Sequence, residues 1–131
     1  LYNRSLFLHS LGTQLILELE NCNQNILDNK GLIENILTNA VKESGAKIIG
    51  STFHKFIPIG VTGVISIAES HVSVHTWPEL SYASVDIFSC GDNFDFQNCA
   101  KKIIQGLKST KVSQMKINRG TNNSFSNLEI S

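Results

Sequence analysis

The sequence predicts an α+β fold: a two-layer α/β sandwich in which an antiparallel four-stranded sheet, with short extra strands, carries two helices on one face. Three observations lead there. Segments in which apolar and polar residues alternate at period two outnumber those with helical period. The middle strands follow one another at hairpin spacing, which favours antiparallel pairing. Two segments with apolar residues at three- and four-residue steps supply the helices that cover one sheet face.

The elements follow in order. Residues 1–12 hold the apolar cluster Leu6, Phe7, Leu8 and read as a lead-in ending at Gly12. Thr13 to Leu19 alternates as a strand, with Leu15, Leu17 and Leu19 on one face. Residues 20–29 are rich in Asn and read as a turn or loop. Leu32, Ile33, Ile36, Leu37, Ala40 and Val41 form one helix face over residues 30–44, with Asn29 or Asp28 as N-cap and Gly45 as the stop. Residues 47–56 return to a strand, broken by Pro58 and Gly60, and residues 63–69 form a third. In residues 71–77 the odd positions share a face, so His75 and Trp77 project together while Val72 and Val74 take the other side. Pro78 ends that run. Tyr82 to Cys90 alternates as another strand, Asp92-Asn93 reads as a helix cap, and Phe96, Cys99, Ala100, Ile103, Ile104 and Leu107 make the second helix face. Residues 112–117 form a final short strand, and the Asn/Ser/Gly-rich residues 119–131 read as a flexible tail.

The length of 131 residues predicts a single domain spanning the chain, large enough to fold without staples. Eleven basic residues balance eleven acidic ones, so charge gives no reason to expect nucleic acid or an anionic membrane as partner. Three cysteines, Cys22, Cys90 and Cys99, are an odd number without metal-type spacing. No apolar run approaches the ~18 residues of a membrane-spanning helix, and no signal-peptide pattern is present. The cytoplasm is the expected compartment.

The chemistry-bearing residues crowd into residues 60–92. Glu69-Ser70-His71 places a serine between two strands, where its hydroxyl can attack the preceding carbonyl if strain and a base assist. His75 is a general-base candidate. Cys90, at a strand end, is a candidate proton donor or nucleophile, whereas Cys22 and Cys99 read as small buried hydrophobes. Glu79 can accept hydroxyl hydrogen bonds, Phe56 and Trp77 can flank a flat heterocycle, and Thr62 can hydrogen-bond a reacting carbonyl. Taken singly, each has an ordinary structural reading: turn serine, strand histidine, core aromatic, loop carboxylate.

Together, Phe53-His54-Lys55-Phe56, Gly60-Val61-Thr62-Gly63, Ala68-Glu69-Ser70-His71, His75-Thr76-Trp77-Pro78-Glu79, Val85-Asp86-Ile87-Phe88 and Cys90-Gly91-Asp92 form a pattern. It resembles the bacterial and archaeal S-adenosylmethionine decarboxylases, over residues 10 to 118. The resemblance implies self-cleavage between Glu69 and Ser70 into a β chain (1–69) and an α chain (70–131). Ser70 then becomes a covalent pyruvoyl group that forms a Schiff base with the substrate, with neither PLP nor metal. It further implies that His75 assists processing, supported by Thr62 where the family often has serine. Cys90 would reprotonate the substrate carbon, Glu79 would bind the ribose hydroxyls, and Phe56 and Trp77 would line the site. His71 receives no role. The implied product is the aminopropyl donor of spermidine biosynthesis, and the implied assembly is a homodimer of cleaved protomers with sites at the interface. Two alternatives are a pyruvoyl-dependent arginine or ornithine decarboxylase on the same fold, and a silent homologue that never processes.

Overall fold

A computed structural model describes residues 10–68, 70–90 and 93–120. Its elements run β1 (Gly12–Glu20), α1 (Gln24–Leu27), α2 (Lys30–Lys42), β2 (Ile48–Lys55), β3 (Val61–Ile67), β4 (Ser70–Trp77), a 3₁₀ turn (Pro78–Leu80), β5 (Tyr82–Ser89), α3 (Phe96–Leu107) and β6 (Lys111–Arg119). The strands form one antiparallel sheet in the order β2-β3-β4-β5-β1-β6. The sandwich is therefore as expected, but the sheet has six strands of seven to nine residues rather than four with short extras.

Alternation fixes which sheet face is covered. Leu15, Leu17 and Leu19 of β1, Val72 and Val74 of β4, and Val85 and Ile87 of β5 point to one side. Ile33, Leu37 and Val41 of α2 and Ile103 and Leu107 of α3 meet them, and all of these side chains are fully buried. Each such burial stabilises the fold by roughly 1.5–3 kcal/mol relative to exposure. Helices α2 and α3 also pack on each other closely: a Cβ built on Gly106 comes 2.5 Å from Ile36 Cγ2. Among the described residues, the other sheet face carries no helix. There His71, His75 and Trp77 stand exposed in the predicted odd-numbered row.

Several boundaries differ from expectation, each for a local reason. The Asn-rich stretch contains α1, capped by the Asn23 side chain accepting from Ile26 N at 3.0 Å. Asn29 caps α2 by accepting from Leu32 N at 3.0 Å, which leaves Asp28 free for another use. The cap of α3 is Asp95, accepting from Asn98 N at 3.0 Å, not Asp92-Asn93; Phe94 enters the core first and delays the helix. Strand β6 runs on through Asn118 and Arg119, because they continue the ladder opposite Thr13 and Gly12. The leading cluster Leu6–Leu8, Glu69 at the expected cleavage position, Gly91, Asp92 and residues 121–131 of the expected tail lie outside the described residues.

Candidate active site

Strand β4 positions most of the candidate residues, and it separates them. Ser70 opens the strand, half-buried, in register with Ser89 of β5 and Ile67 of β3. Its Oγ accepts the Cys90 backbone N–H at 3.4 Å, so the candidate nucleophile and the exposed candidate thiol share one end of the sheet. A cleft of about 230 Å³ lies there, lined in part by Ala68, Ser70, Lys47 and Phe94.

The remaining candidates gather at the other end. His75 pairs in register with Thr62, and Thr62 Oγ1 lies 3.0 Å from His75 Nδ1. That contact occupies one ring nitrogen and leaves Nε2 for an external proton. Phe56, Thr62, His75, Trp77 and Glu79 line a cleft of about 460 Å³, with Phe56 and Trp77 nearly half exposed. Trp77 stacks on Tyr82 with ring centroids 5.3 Å apart, which fixes its plane. The Tyr82 hydroxyl donates to Glu18 Oε1 at 2.6 Å; burial first, then this carboxylate, pushes its pKa up to about 12. His71 stacks on Phe88 with centroids 5.6 Å apart, on the outer sheet face.

Strand rise sets the distance between these groups. At about 3.3 Å per residue, Ser70 and His75 are separated by roughly 16 Å, and Ser70 and Trp77 by roughly 23 Å. Side chains do not bridge such spans. Within one chain, the structure thus brings together Ser70 with Cys90, and separately Phe56, Thr62, His75, Trp77 and Glu79.

The S-adenosylmethionine decarboxylase family matches this chain over residues 13–120. The chain belongs to that family. An S-adenosylmethionine decarboxylase proenzyme of Thermotoga maritima is 44% identical over 111 residues, covering 85% of each chain. One of Thermosipho africanus is 45% identical over 111 residues, again 85% of each chain. The crystal structure of the adenosylmethionine decarboxylase from Aquifex aeolicus superposes with a TM-score of 0.81 at 32% identity, covering 91% of this chain and 98% of that one. Both halves of the candidate site lie inside the part that matches the family.

Several residues in and behind the cleft escaped the sequence reading as site residues. Ile59, Gly60 and Thr76 line the cleft directly. Thr76 lies on the covered face, where its Oγ1 donates to Leu27 O at 2.8 Å and accepts from Val61 N at 2.9 Å. Asp28 and Lys55 stand behind the cleft as an ion pair, Nζ to Oδ1 3.0 Å. Thr76 and Lys55 sit inside recognised motifs, but Asp28 gives no local signal, because its partners lie 27 and 32 residues away.

Proposed function

We propose that this chain is a self-processing S-adenosylmethionine decarboxylase of the cytoplasm that works as a homodimer and makes the aminopropyl donor for spermidine synthesis. The observation that carries the reading is the contact of Ser70 with Cys90 at the head of β4, in a family whose bacterial relatives are proenzymes.

Processing needs no reagent beyond protein side chains and one water. Attack of Ser70 Oγ on the Glu69 carbonyl carbon forms an ester and frees the residue-70 amine. Loss of the Cα proton and of the Glu69 carboxylate from Cβ, then addition of water and release of ammonia, leaves a ketone at residue 70. The residues fit such a group: its carbon would cap β4, and the following amide is held in ladders with both β3 and β5. When formed, the pyruvoyl group supplies the electron sink for the pair released as CO2 departs. Cys90, exposed beside that end of the strand, is the proton source for the substrate carbon. At the far end, the aromatic faces of Phe56 and Trp77 suit a purine and an adjacent sulfonium, and Glu79 suits ribose hydroxyls.

The separation along β4 supports a site completed by a second copy. His75 acts as the processing base on the serine of the other protomer, with Thr62 holding its Nδ1. The sheet face without helices is the surface through which two copies join. Val64, Trp77 and Met115 are exposed on it, as an unpaired sheet face leaves them. An antiparallel approach of two such faces sets the Ser70 end of one chain over the cleft of the other.

The test is mixed-dimer complementation. A Ser70→Ala chain and a Glu79→Ala chain are each nearly inactive alone. Co-expressed, they form dimers with one site made of intact halves, so about half the wild-type activity per mixed dimer returns. Sites confined to one chain would give none. Denaturing mass spectrometry supplies the second check: wild type yields fragments 1–69 and 70–131, the latter with a blocked N-terminus, whereas a stable 14.4 kDa chain with no CO2 release refutes the assignment.

A further inference from the structure

The loop between β2 and β3, residues 56–60, forms one wall of the cleft and has little to bury itself against. Ile57 is 94% exposed, and Phe56 and Ile59 are each more than a third exposed. Apolar burial does not fix such a loop, so polar contacts must. Phe56 N donates to Gly60 O at 2.8 Å and closes its neck. Asp28 Oδ1 accepts the Gly60 N–H at 2.8 Å. Lys55 Nζ lies 3.0 Å from the same oxygen, and it donates to Phe56 O at 2.8 Å and to Pro58 O at 3.4 Å. An ammonium has three N–H donors, and here there are three acceptors. One carboxylate and one ammonium therefore hold both ends and the middle of the loop.

The anchor of this clamp is itself fixed. Asp28 is the C-cap of α1 and directly precedes Asn29, the N-cap of α2. The Leu27 carbonyl beside it is tied to Thr76 of β4. Gly60 has φ +111°, and a Cβ there would sit 3.3 Å from Thr76 O, so the loop closes tightly on the strand that carries His75 and Trp77. The Phe56 ring meets His54 edge-on at 4.7 Å between centroids. The Gly60 N–H, and after it Lys55, hold the Asp28 carboxyl below its ordinary pKa, so it is charged throughout the neutral range. An ion pair this exposed adds little stability. Its effect lies in where it puts Phe56.

We infer that Asp28 and Lys55 are positioning residues that set the Phe56 wall of the cleft and thereby the affinity for the adenosine part of the substrate, without a part in self-cleavage. This rests on the reading of the cleft as the adenosine site. Processing is spared because neither clamp residue touches His75 or Thr62, which are held by the β3–β4 ladder and by their own 3.0 Å contact.

The experiment compares wild type with Lys55→Met, Asp28→Asn and the conservative Lys55→Arg. In Lys55→Met the KM for S-adenosylmethionine rises about tenfold while kcat changes less than about threefold, the signature of lost uniform binding. Cleavage into 1–69 and 70–131 stays complete. Asp28→Asn shows a smaller rise, because an amide oxygen still accepts from Gly60, and Lys55→Arg restores most of the affinity. Quenching of Trp77, the single tryptophan, by 5′-methylthioadenosine gives a Kd that moves with KM; this nucleoside has no α-amine and needs no turnover. KM and Kd within twofold of wild type overturn the inference, as does loss of cleavage in a variant with a normal circular dichroism spectrum. A wild-type protein that neither cleaves nor decarboxylates overturns the underlying reading instead.

Discussion

Replacing Thr76 by Val keeps the side-chain shape but removes a hydroxyl that serves Leu27 O and Val61 N at once. Both backbone groups would lose their partner in a buried place, at about 1–3 kcal/mol each. We expect Thr76→Val to lower the unfolding free energy by about 2–6 kcal/mol with an unchanged m-value, measured by urea titration in a Ser70→Ala background that stays one chain. The thiols give a second test. Cys22 and Cys99 are buried, and burial raises both pKa values, that of Cys99 to about 12. Cys90 is exposed. Ellman's reagent is expected to titrate one thiol quickly in the native protein and all three in denaturant, and Cys90→Ser removes the fast one. At this scale the sequence was informative where function lies in short motifs. Ser70 and Cys90 were marked by their motifs, and the fold confirms only that they meet. The use of Asp28 was hidden, since an aspartate before an asparagine at a helix start reads as a spare cap.

Strands β1, β4 and β5 were legible because each has one face in the core, so alternation is enforced along the whole element. The edge strands were legible in part, β2 over nearly its whole length and β6 only in its middle. Only Phe53 of β2 is buried, and β6 is exposed nearly throughout, so alternation is weak in both and β6 reads as shorter than it is. Their length is dictated by backbone pairing with β3 and β1, which leaves no mark on side chains. A four-residue helix such as α1 shows no period either. Helix α3 was found from its apolar stripe, and it yields a prediction that propensity alone gets wrong. Gly to Ala inside an exposed helix gains about 1 kcal/mol. At Gly106 the added methyl meets Ile36, so Gly106→Ala is expected to destabilise by about 1–2 kcal/mol net, read from the same titration.

For the whole molecule, a sheet covered on one side predicts association through the other. Analytical ultracentrifugation is expected to give twice the chain mass of 14.4 kDa, and charge placed at Val64, which is exposed on that face, should shift the protein toward monomer and reduce activity with it. The proposed division of the site between two copies was within reach of the sequence, since it needs only the rise of a strand and the spacing from Ser70 to Trp77. The strand order was not, because nothing local announces which distant segments become neighbours. That order reaches beyond catalysis. With the proposed cut, β1, β2 and β3 belong to one product and β4, β5 and β6 to the other, yet β1 lies between β5 and β6. The smaller chains are thus interleaved, and neither can leave without tearing three ladders, β3 with β4, β1 with β5 and β1 with β6. Before the cut, folding is a first-order event within one molecule. After it, reassembly becomes second order, because two separate chains must find each other and thread a strand. The mature enzyme is then a product of history: once unfolded, it is expected to regain activity slowly, at a rate that falls with dilution, while the Ser70→Ala precursor refolds at any concentration.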